Sequence, residues 1–317
     1  MEQTGTLYIV VPCYNEEEVL PETSKRLKAK LEALEQAGHI SAASRVMFVD
    51  DGSRDRTWNL IAELCAGESC FSGVRLSRNR GHQNALLAGL TAAVERADVV
   101  ISMDADLQDD IDAVDAMLEK YRQGCQVVYG VRSDRTTDSS FKRGTAQLFY
   151  KLMKSMGVET VYNHADYRLM GKRALEELLS FKEVNLFLRG MVPLVGFKSD
   201  VVAYKRGERF AGESKYPLKK MLAFAIDGVT SFSVKPLQLI LMLGVLLGMG
   251  GGIALLVQLI LVLMGQGPST AAWLLSCVWL IAGIQLAALG VVGEYIGKIY
   301  MEAKGRPSFI IEQVIDR

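Results

Sequence analysis

The sequence predicts an α/β protein: a mostly parallel sheet followed by a two-helix transmembrane hairpin. Short apolar runs alternate with helical patterns at a spacing of roughly 25 to 30 residues, the signature of parallel strands joined by right-handed crossovers. Each early run ends in acidic or polar residues, and the carboxyl end of a strand is where an open α/β sheet binds ligands. Towards the carboxyl terminus, 58 consecutive positions between Lys235 and Glu294 carry no charge.

Leu7-Tyr8-Ile9-Val10-Val11-Pro12 reads as a buried strand stopped by proline. Cys13 to Glu18 opens a helix to about Ala37, where Glu17 and Glu18 suit the first turn as dipole complements. Arg45 to Val49 is the second strand, ending in Asp50-Asp51-Gly52-Ser53, after which Asp55 or Thr57 can cap a helix through Leu64. The third strand, Gly73 to Leu76, empties into a polar loop from Ser77 to Asn84, ahead of a helix to about Glu95. No G-x-G-x-x-G follows the first strand, which disfavours a dinucleotide-binding domain.

Val99 to Met103 leads into Asp104-Ala105-Asp106-Leu107-Gln108. Alternation sends Asp104 and Asp106 to one side, with Ala105 too small to crowd them. Two carboxylates so close repel unless a cation lies near, and a hard divalent ion shared with a diphosphate fits. A helix near Ile111 to Gln123 and a strand from Gln126 to Val131 follow, ending at Arg132. Ser133 to Ser140 reads as a loop, with a helix from Lys142 to about Met156. His164 to Met170 is a short strand that faces Asp166 and Arg168 the same way. Phe187 to Val195 is an apolar helix and Asp200 to Tyr204 a strand, leading to a basic, glycine-containing loop from Arg206 to Tyr216 that suits an anion.

In the uncharged run, two spans are expected at about 237–264 and 271–293, roughly 42 and 35 Å long at 1.5 Å per residue, against a hydrocarbon core of about 30 Å. Lys215, Lys219, Lys220 and Lys235 precede them, and Lys298, Lys304 and Arg306 follow. Both flanks are therefore expected to be cytoplasmic. The domain plan is 1–214 as a cytoplasmic catalytic unit, 215–234 as an interfacial amphipathic helix, 235–297 as the spans and 298–317 as a cytoplasmic tail, with Pro307 to Val314 returning as a strand. The expected location is the inner or plasma membrane, multi-pass. Gly244, Gly248 and Gly252, with Gly293 and Gly297, would permit close helix packing or a homo-oligomer.

Of the 317 residues, 36 are basic and 36 acidic, a balance that gives no reason to expect a nucleic-acid partner. Five cysteines, scattered and without C-x-x-C spacing, read as reduced core residues. Glu2 and Gln3 stand where a signal peptide would carry basic residues. His39, His82 and His164 lack ligand spacing and read as local hydrogen-bonding residues.

Taken together, Pro12-Cys13-Tyr14-Asn15-Glu16, Asp50-Asp51-Gly52-Ser53, Asn79-Arg80-Gly81, Asp104-Ala105-Asp106-Leu107-Gln108, Asp166-Tyr167-Arg168 and Gly212-Glu213-Ser214-Lys215-Tyr216 resemble glycosyltransferase family 2. More narrowly, they resemble the polyisoprenyl-phosphate glycosyltransferases. The resemblance implies a glycosyltransferase A-type nucleotide-sugar-binding sheet, a nucleotide-sugar donor, a polyprenyl phosphate acceptor, a lipid bilayer and Mg²⁺ or Mn²⁺. It implies inverting transfer of a hexose from UDP-glucose or a related UDP-hexose. GDP-mannose as donor, a processive polysaccharide synthase and a non-catalytic membrane scaffold are the alternatives. Pro12, Tyr14, Glu16 and Asp51 would hold base and ribose; Asp104, Asp106 and Gln108 the metal; Asp104 and Arg132 the donor. Arg206 would act on the diphosphate, and Arg209, Ser214 and Lys215 on the acceptor phosphate. Asp166 would stand near the acceptor, as a base or as an orienting group for Arg168 or the sugar.

Overall fold

The computed structural model describes residues 5–133, 164–183, 187–207 and 270–316, with the single positions 240, 242 and 260. Its strands are β1 (Leu7–Cys13), β2 (Arg45–Asp50), β3 (Phe71–Leu76), β4 (Val99–Ser102), β5 (Val127–Arg132), β6 (His164–Gly171), β7 (Ser199–Tyr204) and β8 (Ile311–Ile315). The helices are α1 (Leu20–Gln36), α2 (Thr57–Gly67), α3 (His82–Ala93), α4 (Ala113–Arg122), α5 (Lys172–Ser180), α6 (Leu188–Leu194) and α7 (Thr270–Ala303).

All seven positions of β1 are buried, as a strand covered on both faces requires. Its side chains alternate between two cores. Leu7, Ile9 and Val11 join Leu27 and Leu31 of α1, Ile61 of α2 and Met117 of α4; each such leucine contributes roughly 2 kcal/mol by leaving water. Tyr8 and Val10 join Leu86 of α3, Leu178 of α5 and Met191 of α6 on the other face. Gly89 lets α3 press against the sheet, because a Cβ there would lie 2.4 Å from Val10 Cγ1 and 2.6 Å from Val49 Cγ2.

Strand order is β7-β5-β6-β4-β1-β2-β3-β8. β1, β2, β3 and β4 pair in parallel, as do β5 and β7, whereas β6 runs antiparallel to β4 and β5, and β8 antiparallel to β3. The expected mostly parallel sheet is thus corrected to a mixed one. An apolar strand alternates identically in either direction, so its sense is set by where the connection delivers the chain. The inversion matters for chemistry, since it brings the first residues of β6 beside the last residues of β4. β8 begins four residues later than the strand expected from Pro307.

The membrane expectation is also corrected. Residues 215–234 and nearly all of 237–264 lie outside the described residues, and the second expected span falls within α7. Among the described residues no helix is long and apolar enough to cross a membrane, which overturns the transmembrane hairpin and the multi-pass localisation. An uncharged run meets one requirement of a span; the other is apolar character sustained along one helix of bilayer length. The cysteines are free, and Cys13, Cys65 and Cys125 are buried as expected, but Cys277 on α7 is exposed.

Candidate functional site

β4 ends at Ser102, and Met103 continues its ladder by donating its amide to the Val10 carbonyl at 3.1 Å. The chain then turns. Thr23 Oγ1 of α1 donates to the Ala105 carbonyl at 2.8 Å, Leu107 takes φ +58°, and the Gln108 amide donates to Asp106 Oδ1 at 3.2 Å. Asp104 and Asp106 are therefore presented on a pinned turn, both half-buried. Burial raises the pKa of the Asp104 carboxyl; the like charges of Asp166 and Asp106 add to that, against His82 and Arg189. The Gln108 side chain accepts from Arg206 Nη2, and its carbonyl receives the Gly207 amide at 2.9 Å.

Beside this turn lies a charge cluster assembled from four segments. The antiparallel register pairs Ser102 with Arg168, and Ser102 Oγ donates to the Asp166 carbonyl at 2.6 Å, so Asp166 stands next to Asp104. Arg168 Nη2 donates to Asp166 Oδ1 at 2.7 Å, confirming that the two side chains share a face. Arg189, on the first turn of α6, donates from Nε to Oδ1 at 3.3 Å and from Nη2 to Oδ2 at 3.1 Å. His82, opening α3, has Nε2 at 3.4 Å from Asp104 Oδ1 and 3.8 Å from Asp166 Oδ2. Burial opposes ionisation of Asp166, but Arg189, Arg168 and His82 outweigh it and hold this carboxyl well below the usual carboxylate range.

A second group forms behind the turn. Tyr204, ending β7, donates its hydroxyl to Asp109 Oδ1 at 2.5 Å. Burial and the charge of Asp104 push the Asp109 carboxyl up to about 6. Asp109 Oδ2 and Arg132 Nε are buried without a hydrogen-bond partner among the described residues. A cleft of about 560 Å³ opens alongside, between α1 and residues 107–112, with Arg26, Lys30 and Lys205 on its rim.

The loops after β1, β2 and β3 are held differently. Asp51 is 2% exposed and its two oxygens accept the Arg80 and Gly81 amides at 2.7 and 2.9 Å. Gly52, at φ +65°, allows this closeness: a Cβ there would sit 2.6 Å from the Asn79 amide nitrogen. The Asn15 amide donates to Ser53 Oγ, the Glu16 amide to Thr57 Oγ1 and the Glu17 amide to Asp55 Oδ2. Asp55 also accepts the Thr57 amide and hydroxyl at 3.0 and 2.6 Å.

Of the residues singled out from sequence, Asp104, Asp106, Gln108, Asp166 and Arg206 gather at the ends of β4, β6 and β7, with Arg132 at the end of β5. Pro12 is buried and Tyr14 and Glu16 half-buried beyond β1. Arg209, Ser214 and Lys215 lie outside the described residues. His82 and Arg189 were missed as site residues. A lone cation in an otherwise apolar helix, Leu-Arg-Gly-Met-Val-Pro-Leu, was the available signal for Arg189.

Among the described residues no group of three or more histidine, cysteine or acidic side chains is placed to hold a metal ion by itself. Two carboxylates on one turn, one of them raised in pKa by burial and further by like charge, nonetheless suit a hard divalent cation that takes one or two carboxylates and fills its shell with phosphate and water.

Acids after parallel β4 and on the first residues of antiparallel β6, with guanidinium groups beside them, make an arrangement suited to a phosphate-bearing ligand. The model for Glycosyl transferase family 2 matches residues 8–179. The chain is 51% identical over 306 residues to the uncharacterized glycosyltransferase YkoT of Bacillus subtilis, covering 96% of this chain and 91% of that one. It is 36% identical over 308 residues to the prophage bactoprenol glucosyl transferase homolog of Escherichia coli (96% and 98% covered). With the bactoprenol glucosyl transferase of Shigella phage SfV it shares 37% over 309 residues (96% and 97%). A solved glucosyl-3-phosphoglycerate synthase from Mycobacterium tuberculosis is similar at 17% identity over 71% of this chain and 78% of that one, with a TM-score of 0.44, too distant to carry an argument. The chain belongs to glycosyl transferase family 2.

Proposed function

We propose that this protein transfers a hexose, with inversion, from UDP-glucose or a related UDP-hexose to undecaprenyl or another polyprenyl phosphate. The observation that carries this reading is the likeness to bactoprenol glucosyl transferases, 36% and 37% identical across at least 96% of both chains. Asp104 and Asp106 would hold Mg²⁺ or Mn²⁺, with Gln108 joining once its side chain leaves Arg206. The ion, when bound, offsets the charge of the departing nucleoside diphosphate. Arg132, whose buried Nε has no hydrogen-bond partner among the described residues, and Arg206 are suited to the same diphosphate. Pro12, Tyr14, Glu16 and Asp51 form the cradle for base and ribose, where Asp51 shapes the loop by accepting two amides. Arg209, Ser214 and Lys215 belong to the acceptor side.

The nucleophile needs little help. A phosphate monoester with a second pKa near 6 is mostly dianionic at neutral pH. Asp166, pinned by two guanidinium groups, is a poor proton acceptor and serves as an orienting anion. The test is to incubate purified protein and undecaprenyl phosphate with UDP-glucose, UDP-galactose, UDP-N-acetylglucosamine or GDP-mannose, each with Mg²⁺, Mn²⁺ or chelator, and to weigh the lipid product. A hexosyl lipid formed from a UDP-hexose and abolished by chelator is expected. Turnover of GDP-mannose alone would move the reading to a mannose synthase, and nucleotide release without a lipid product would overturn it.

A further inference from the structure

Three strand ends meet in one polar chain behind the acidic turn. Arg132 and Tyr204 are direct neighbours across the parallel ladder of β5 and β7, and the Ser133 amide and hydroxyl both donate to the Tyr204 carbonyl at 2.9 Å. The Tyr204 hydroxyl accepts from the Arg132 guanidinium and donates to Asp109 Oδ1 at 2.5 Å, the short contact of a hydroxyl with a carboxylate. Tyr204 and Asp109 are both buried. The ring of Tyr204 is fixed as well, packing edge to face on Tyr167 with centroids 5.3 Å apart, and Tyr167 in turn donates to the Asp110 carbonyl at 2.9 Å. Hydrogen bonds in series polarise one another, so a hydroxyl between a guanidinium and a carboxylate is a stiff link.

The link ends where a diphosphate would need a cation. Asp109 follows Gln108 on the turn that carries Asp104 and Asp106, and Gln108 accepts from Arg206. Burial and then the like charge of Arg132 lower the pKa of Arg206, so the two guanidinium groups are close enough to push each other apart. Tyr204, anchored on Asp109, is what holds Arg132 against that push. A buried chain of charged and polar groups stabilises a fold little more than apolar side chains of the same volume would, so its use lies in fixing where the guanidinium stands. We propose that Tyr204 and Asp109 are positioning residues that hold the Arg132 guanidinium ready for the diphosphate of the donor. This inference rests on the proposed use of a nucleoside diphosphate sugar.

The test is steady-state kinetics in detergent micelles with UDP-glucose and undecaprenyl phosphate, with UDP and uridine as inhibitors. Tyr204→Phe keeps the ring on Tyr167 and removes only the hydroxyl. It is expected to raise KM for UDP-glucose and Ki for UDP about tenfold, while Ki for uridine, which has no diphosphate, and KM for undecaprenyl phosphate change less than about twofold. Asp109→Asn, which keeps an acceptor for the hydroxyl but loses the charge, is expected to show a smaller loss of the same pattern, and it carries the test if Tyr204→Phe does not fold. Equal weakening of UDP and uridine would mean that the pair only supports the fold around the site. A change confined to the acceptor KM would assign Arg132 to the acceptor, and unchanged constants would mean that Arg132 needs no such support. Each of these results overturns the inference while leaving the transferase reading standing. A wild-type protein that makes no lipid-linked sugar from any UDP-hexose overturns both.

Discussion

The two halves of the strand-end surface use their acids in opposite ways. Around β1, β2 and β3, carboxylates are held chiefly by backbone amides: both oxygens of Asp51 by Arg80 and Gly81, Asp50 Oδ1 by Ser53, and Asp55 by Glu17 and Thr57, whose hydroxyl joins its amide. Burial pushes Asp50 and Asp51 above the usual carboxylate range. Around β4 and β6, the acids meet side chains instead, and Arg189 and Arg168 hold Asp166 far below that range. Amide-held acids fix the shape of a loop; guanidinium-held acids fix the charge of a site. On the proposed reading, the first half would cradle the neutral parts of a nucleotide and the second would supply counter-charge to groups that gain or lose negative charge.

Several substitutions sharpen this contrast, and they can be ranked by expected size. Arg168→Met breaks a buried pair in the charge-built half and should lower the unfolding free energy by about 3 kcal/mol in urea titration. Asp106→Asn should leave the melting temperature near that of the parent and cut transfer by about a hundredfold or more, about 2.7 kcal/mol of transition-state stabilisation. Gly52→Ala tests the backbone-built half: its Cβ would meet the backbone of Arg78 and Asn79, at a φ that favours glycine. A loss of about 2 kcal/mol of stability, with weakened UDP binding, is expected. Glu312→Gln is the small end of the scale. Glu312 is 3.5 Å from Arg75, which reaches Asp50 at 3.8 Å, but both partners are more than a third exposed, so the change should be under about 0.5 kcal/mol.

Much of the backbone-built half was legible in the sequence, because apolar runs mark buried strands and the Asp51-Gly52 pair marks the turn after β2. β1 to β4 fall within about two residues of their expected bounds. The sharing of one face by Asp166 and Arg168 was legible too, since alternation needs no knowledge of the neighbours. What alternation cannot carry is direction, so the antiparallel entry of β6 was not foreseen. Helix α5 was missed because it follows β6 directly at Gly171, although Ala174, Leu175 and Leu178 mark its buried face. His82 and Arg189 were passed over for a related reason. Their partner, Asp166, is 84 and 23 residues away, and only the packing of α3 and α6 on one face of the sheet brings them to it.

On the proposed reading, Asp166 is an orienting anion already balanced by arginine, and not the base that activates the acceptor. Because its folded pKa is depressed, the stability gained from its ion pairs is present above the unfolded value of about 3.9 and is lost only as pH falls into strong acid. Asp166 thus does not titrate near neutrality. The most direct measurement is the pH dependence of kcat/KM for undecaprenyl phosphate in the wild type and in Asp166→Asn. The wild type should lose activity below a midpoint near 6, where the acceptor phosphate and Asp109 titrate. Asp166→Asn should lower the plateau and leave that midpoint in place; a variant whose acid limb vanishes would make Asp166 the titrating base and contradict the account.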